Sequence, residues 1–118
     1  MKYDIVHALP LIRPGAEWTH IGTEYEGLTW LSSGEPPTPE EVDAKVAELD
    51  AAEPMRLLRL ERDRLLAETD WWAVADRTMT DAQREYRQSL RDITNTANPT
   101  LDSRYQLDMN SVSWPVRP

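Results

Sequence analysis

The two histidines, His7 and His20, are the side chains of this sequence best suited to binding a metal or to moving a proton. A metal site built on them would need both rings close together, with a carboxylate such as Glu17 or Glu24 beside them. Their spacing gives no reason for the two rings to share a helix face. We therefore predict two ordinary histidines and no metal site.

Two pairs of carboxylates could in principle perform acid–base chemistry, Glu40 with Glu41 and Glu24 with Glu26. The first pair is better explained as the acidic start of a helix, and the second is expected to be solvated. Four glycines are too few and too scattered to form a phosphate-binding loop. No serine lies in a nucleophile-elbow context, which covers Ser32, Ser33, Ser89, Ser103, Ser111 and Ser113. We predict no catalysis and no cofactor.

Aromatic pairs are more promising as contacts with another protein. Trp71 and Trp72 are adjacent, so they cannot both face inward on a regular element. We expect Trp71 to fill the core and Trp72 to be partly exposed, where it could contact a partner. Trp114 and Pro115 form a second candidate contact, which either docks back on the helices or inserts into a partner. All four are predicted partner-binding residues.

Charged residues near the same turn could hold it in place. Arg87, Arg91 and Asp92 are predicted to form a structural ion-pair cluster with Asp70 or Asp76. A bidentate arginine–carboxylate bridge would fix the turn to the helix that follows.

The elements that position these residues fall into two parts. In residues 1–34, three short stretches favour strands, at 3–7, 18–21 and 28–31. A polar connector at 32–37 leads to a helix, with Thr38 as N-cap, Pro39 at the first position and Glu41 as the reciprocal cap. Its apolar stripe comprises Val42, Val46 and Leu49. Because an interior proline costs about 3 kcal/mol, Pro54 predicts a break or kink near residues 52–53.

Beyond the proline the apolar stripe restarts, at Leu57, Leu58, Leu65 and Leu66. Thr69 and Asp70 end that helix, and Thr80 with Asp81 caps the next. The buried stripe predicted for this second helix comprises Ala82, Tyr86, Leu90 and Ile93. We therefore predict an α+β fold: a small N-terminal antiparallel β-sheet followed by a helix, then a C-terminal helical hairpin with an extended Trp-Pro tail. The predicted domains are an acidic β-rich module at 1–53 and a helical-hairpin module at 54–118.

Composition limits the class of protein. The 118 residues carry a formal net charge of −8, and residues 1–50 hold ten acidic against three basic side chains. Such a chain has no basic stripe for nucleic acid and no attraction to anionic membranes. It has no cysteine, no apolar run long enough to span a bilayer and no signal-peptide pattern. We predict a soluble protein that binds neither nucleic acid nor membrane.

The rear part of the chain, from about residue 56 to 118, resembles the phage tail assembly chaperone family. The family pattern is a basic-Leu-Leu helix, a Ser/Thr-Asp-Trp corner, a Tyr-Arg-Gln-x-Leu-Arg-Asp-Ile helix and a Trp-Pro ending. The matching pieces are Arg64-Leu65-Leu66, Thr69-Asp70-Trp71, Asp76, the octapeptide at 86–93 and Trp114-Pro115. This part is also similar to the C-terminal part of tail fibre assembly proteins from lambda-like and Mu-like phages.

The front part, residues 1–50, resembles the small tail-operon family called XkdW. The resemblance rests on an early Tyr-Asp-Ile segment, on Leu28-Thr29-Trp30-Leu31 and on Pro37-Thr38-Pro39-Glu40-Glu41-Val42.

Together the resemblances imply a non-enzymatic bacteriophage tail protein that binds tail fibre or baseplate subunits as an assembly chaperone. They imply a location in the host cytoplasm during assembly, or in the virion tail, and a homo-oligomer within a tail assembly is compatible with both. One alternative is a permanent structural virion component that joins fibre to baseplate. Another is a glycan-binding module, since exposed tryptophans also stack on sugars.

Overall fold

The computed structural model describes residues 1–118 and divides into two compact units, Met1–Glu53 and Pro54–Pro118. Its helices and strands are, in chain order, α1 Ile5–Ile12, β1 Trp18–His20, β2 Leu28–Trp30, α2 Pro39–Thr69 and α3 Asp81–Asp92. Single 3₁₀ turns lie at Tyr25–Gly27, Asp70–Ala73, Ile93–Asn95 and Met109–Ser111. The predicted α+β class, with a small antiparallel sheet followed by helices, is confirmed.

The first element differs from the prediction, because residues 5–12 form a helix and not a strand. Asp4 caps this helix by accepting a hydrogen bond from the Val6 amide at 3.0 Å, and the His7 ring accepts from the Asp4 amide at 3.2 Å. Ile5 and Leu9 are buried at the helical spacing of four residues. The reciprocal cap and the buried stripe together outweigh the proline within the helix, Pro10.

The sheet of unit 1 has two strands, so only two of the three predicted strands form. β1 and β2 are antiparallel, with Trp18 opposite Trp30 and His20 opposite Leu28. The turn is closed by the Ile21 amide, which donates to the Gly27 carbonyl at 3.1 Å. Glycine is required at 27 because a Cβ there would overlap the Ile21 carbonyl oxygen.

The predicted start of α2 is confirmed. The Glu41 amide donates to the Thr38 hydroxyl at 3.2 Å, and the Val42 amide donates to the Thr38 carbonyl at 3.1 Å. The Glu41 carboxylate does not form the reciprocal cap but lies 3.5 Å from an Arg13 guanidinium nitrogen. Val42 is buried with α1, and the core of unit 1 comprises Ile5, Ala8, Leu9 and Val42.

Of the predicted break or kink at Pro54, the break is wrong, because α2 is one helix of 31 residues with Pro54 inside it. A proline removes one backbone hydrogen bond and crowds the preceding turn. Buried side chains lie on α2 on both sides of the proline, Val42 in unit 1 and Leu58 in unit 2. We attribute the helical path through Pro54 to burial of these flanking residues.

Unit 2 is the predicted helical hairpin. Leu58, early in this part of α2, packs with Ile93 just after α3. Leu65 and Leu66 pack against the cluster that contains Tyr86 and Leu90 of α3, and the Leu66 carbonyl accepts from Arg87 of α3. Contacts in this order make the two helices antiparallel. Thr80 caps α3 in a reciprocal box with Gln83, at 3.1 and 3.0 Å. The predicted burial of Ala82 is wrong, because that residue is on the exposed first turn of α3.

The last residues form an irregular segment that packs on the hairpin. Leu101 and Leu107 form an isolated antiparallel bridge, and Val112 is buried with Leu58 and Ile93. None of the helices combines the length and the apolar character needed to cross a membrane.

Candidate interaction surface at the helical corner

The C-terminal end of α2 is closed by an arginine from the neighbouring helix. Arg87 is only 6% exposed. Its Nη1 donates to the Leu66 carbonyl at 2.9 Å and to the Thr69 hydroxyl at 2.7 Å, and its Nη2 donates to Asp70 Oδ1 at 2.9 Å. The last four carbonyls of a helix have no donor within the helix. Arg87 therefore acts as a C-cap in trans, and we call this group the Arg87 cap.

The predicted ion-pair cluster is smaller than expected. Of its five residues, the structure brings Arg87 and Asp70 together. Asp92 instead accepts hydrogen bonds from the Gln88 side chain at 3.1 Å, and neither Asp76 nor Arg91 joins the group. Because the Asp70 side chain is 69% exposed, its ion pair contributes little. We expect the contacts of Arg87 with the Leu66 carbonyl and the buried Thr69 hydroxyl to contribute more than the ion pair does.

The two tryptophans are oriented opposite to the prediction. Trp72 is 3% exposed and belongs to the core, whereas Trp71 is 48% exposed. Residues 70–73 form a 3₁₀ turn, in which positions three apart share a face, so Trp72 follows the buried Thr69. A spacing of seven residues also joins Leu58, Leu65 and Trp72. This spacing was the signal in the sequence that could have identified Trp72 as the buried member.

Trp72 provides a packed base under the corner. Its ring centroid lies 5.9 Å from that of Tyr86, and the Arg117 guanidinium carbon lies 5.4 Å from the Trp72 ring. Trp71 meets Trp72 edge to face, with ring centroids 6.1 Å apart and planes at 71°. The exposed ring of Trp71 is thus supported from below by a buried one.

The outer side of Trp71 carries a cation and an aliphatic neighbour. The Arg77 guanidinium carbon lies 4.2 Å from the Trp71 ring centroid, a cation–π geometry. Val74 is 50% exposed, and its carbonyl accepts from the Arg77 amide at 3.0 Å. We call Trp71, Val74 and Arg77 the tryptophan corner. Exposed aromatic and arginine side chains on a packed base are the usual energetic anchors of protein interfaces.

Trp114 docks back on the hairpin in this structure, which is one of the two arrangements that the sequence left open. It packs against the cluster of Leu58 and Ile93 and also against the cluster that contains Trp72. Its indole nitrogen is buried without a hydrogen-bond partner. Pro115 is half-buried and lines a surface cavity of about 580 Å³ together with Ser113 and Ile93. Partner contact by Trp114 and Pro115 stays a prediction.

Charges of both signs alternate along the solvent-exposed side of α2. Arg64 reaches Glu61 at 2.6 Å and Glu68 at 2.7 Å. The hydrogen bond from Arg64 lowers the pKa of Glu61, and the same contact raises the pKa of Arg64. The histidines serve unit 1 locally: His7 completes the cap of α1, and His20 Nε2 lies 2.7 Å from the Glu24 carbonyl oxygen.

Comparison with known families identifies unit 2. A family model described as phage tail assembly chaperone protein matches residues 55–118, which is more than half of the chain. This range contains the Arg87 cap and the tryptophan corner. A search of curated proteins and a search of solved structures each gave no match. The chain therefore belongs to the phage tail assembly chaperone family.

Proposed function

We propose that this protein acts without catalysis as a tail assembly chaperone that binds a tail fibre or baseplate subunit through the tryptophan corner. Family membership supports a role in phage tail assembly. The proposal that the tryptophan corner is the binding surface rests on the half-exposed Trp71 ring, which lies beside Arg77 and packs on the buried Trp72.

The corner suits binding because little of it has to be ordered on contact. A tryptophan buries a large apolar area with only two rotatable side-chain bonds. Trp72 below it and the Arg87 cap beside it restrict the turn in the free protein. Covering an apolar patch on an immature subunit in this way would prevent that patch from associating with other chains.

We propose that unit 1 also takes part in tail assembly, on the basis of its resemblance to the XkdW tail-operon family. We place the protein in the host cytoplasm while tails are being built. Its partner there is a tail protein of the same phage, and neither nucleic acid nor membrane is involved.

Co-expression tests the proposal. The fibre or baseplate subunit of the same phage is produced alone, with this protein, and with its Trp71→Ala variant. Wild type is expected to raise the soluble yield of the subunit, and Trp71→Ala is expected to lose most of that gain. Leu60→Ala is the matched control, because Leu60 is also apolar and 55% exposed but lies about 16 Å earlier along the helix.

Two results would contradict the proposal: a Trp71→Ala variant as effective as wild type, or an equal loss with Leu60→Ala. Mass spectrometry of purified particles separates the chaperone from the alternative of a permanent virion component. Peptides of this protein at the stoichiometry of a tail part would support the permanent virion component. Their absence from the particles would support the chaperone.

A further inference from the structure

All of the net charge of the protein resides in unit 1. Residues 1–53 contain eleven acidic and three basic side chains, which gives −8, whereas residues 54–118 contain ten of each, which gives zero. A uniform solubilising charge would not divide in this way. The division gives unit 1 a negative potential that attracts cationic groups, and a cavity in that unit is lined by several of its carboxylates.

The cavity has a volume of about 470 Å³ and lies within unit 1. Its apolar lining comes from Ile5, Val42 and Val46, and its aromatic lining from Tyr3 and Tyr25. The tyrosine rings are held by their hydroxyls. Tyr25 donates to the Pro37 carbonyl at 2.6 Å, and Tyr3 donates to the Glu53 carboxylate at 3.0 Å.

Four carboxylates and one lysine also line this cavity: Asp4, Glu24, Glu26, Asp43 and Lys2. The Asp4 carboxylate is engaged in the cap of α1. The carboxylates of Glu24, Glu26 and Asp43 form neither an ion pair nor a hydrogen bond within the protein. Three acidic groups are therefore available beside an apolar and aromatic surface.

The arrangement of the carboxylates fits an organic cation better than a metal ion. Ca²⁺ requires six to eight oxygen ligands at about 2.3–2.6 Å, and residues 1–118 contain no group of three or more His, Asp or Glu side chains that could hold a metal. Carboxylates set around aliphatic and tyrosine side chains suit a charged group on a long apolar stem. Arginine has such a stem, and its planar guanidinium both stacks on aromatic rings and bonds to carboxylates.

We propose that this cavity binds an arginine side chain, next to an apolar residue, on a partner polypeptide. This contact is separate from the tryptophan corner, which is in unit 2. The stem lies along Val46 and the Tyr25 ring, which are partly exposed beside the buried Ile5 and Val42, and the guanidinium faces Glu24 and Asp43. Because the rim carboxylates are exposed, binding weakens as ionic strength rises.

Nuclear magnetic resonance of the full chain tests this proposal, with N-acetyl-Leu-Arg-amide as the probe. The control probe carries citrulline in place of arginine, which keeps the shape and removes the charge. The arginine probe is expected to shift the backbone amide signals of Ile5, Tyr25 and Val42 in a saturable manner. The citrulline probe is expected to bind at least about tenfold more weakly, a difference of about 1.4 kcal/mol.

Variants locate the effect. The pair Glu24→Gln and Asp43→Asn is expected to weaken binding of the arginine probe by about tenfold or more. Glu48→Gln serves as the matched control, because Glu48 is an exposed carboxylate of α2 that pairs with Lys45 and does not line the cavity. Unchanged signals elsewhere in each spectrum show that the fold is kept.

Several outcomes would overturn the proposal: no shift at millimolar probe, equal shifts with citrulline, or saturable shifts with calcium chloride but not with arginine. Trp71→Ala must bind the arginine probe as wild type does. A negative result here therefore leaves the proposal for the tryptophan corner standing, and a failure of the corner leaves this one standing.

Discussion

Replacing Arg87 with methionine tests how the corner is held in place. Methionine matches the unbranched stem of arginine but lacks the guanidinium. The Leu66 carbonyl and the Thr69 hydroxyl then lose donors at 2.9 and 2.7 Å. The Thr69 contact is buried and the Leu66 contact is partly buried, and the Leu66 carbonyl keeps a second donor, the Thr69 hydroxyl, at 3.2 Å.

The magnitude follows from the burial of each contact. Hydrogen bonds to charged groups contribute about 1.5–3 kcal/mol. The Thr69 hydroxyl and the Leu66 carbonyl keep their hydrogen bond to each other, so neither group is left without a partner. The Asp70 pair adds less than about 1 kcal/mol, because that carboxylate is largely exposed. We therefore expect Arg87→Met to lower the free energy of unfolding of unit 2 by about 2–4 kcal/mol, and Asp70→Asn to lower it by less than about 1 kcal/mol.

Guanidinium denaturation of wild type and both variants, followed by far-ultraviolet circular dichroism and by tryptophan fluorescence, measures these differences. Thermal midpoints provide a second measurement, since 1 kcal/mol corresponds to about 4–8 °C for a unit of this size. Equal effects of Arg87→Met and Asp70→Asn would refute the reasoning, because the exposed ion pair and not the helix cap would then be the main contribution.

Further predictions concern packing, capping and charge. Trp72→Ala is expected to cost about 3–5 kcal/mol of unfolding free energy and Trp71→Ala less than about 1 kcal/mol, measured by the same denaturation; the reverse order would contradict the assigned burial. Thr80→Ala removes the cap of α3 and should cost about 0.5–2 kcal/mol, whereas Thr80→Asp should retain most of it. Because Arg64 lowers the pKa of Glu61 in the folded protein, their contact stabilises the fold at neutral pH, and that contribution is lost as pH falls below 4.5 through the folded pKa. Titration of the Glu61 carboxyl by nuclear magnetic resonance should show the lowered pKa, and Arg64→Gln should return it toward its ordinary value.

Local chemistry made some boundaries predictable. Thr38 and Thr80 each precede a helix that could be located from the cap alone. The same chemistry was present at Asp4, but the alternation of Tyr3, Ile5 and His7 favoured a strand. The structure follows the competing pattern, in which Ile5 and Leu9 are four residues apart and meet Val42 in the core. A short segment with both patterns is decided by what it packs against, which the sequence does not state.

The tryptophan pair shows a second limit. Adjacent residues were correctly expected to differ in burial, but the choice between them depends on how the chain leaves α2. The 3₁₀ turn at residues 70–73 places Trp72 in line with Leu65 and leaves Trp71 outside. The resemblance to a family motif ending in Trp71 favoured the wrong ring for the core, because a motif records residue types and not their orientation.

Pro54 shows a third limit, since the cost of an interior proline is known but the stabilisation that offsets it comes from tertiary contacts. The Arg87 cap is similar. Its pairing with Asp70 was among the sequence predictions, whereas its bonds to the Leu66 carbonyl and the Thr69 hydroxyl depend on backbone positions that no residue type reveals.

Site-specific photo-crosslinking tests most directly whether the tryptophan corner binds a tail protein. Benzoylphenylalanine replaces Trp71 in one variant and Leu60 in a second, and both are irradiated in cells that produce the phage tail proteins. We predict crosslinks from position 71 to a fibre or baseplate subunit, and none from position 60. No crosslink from position 71, or the same products from both positions, would contradict the account.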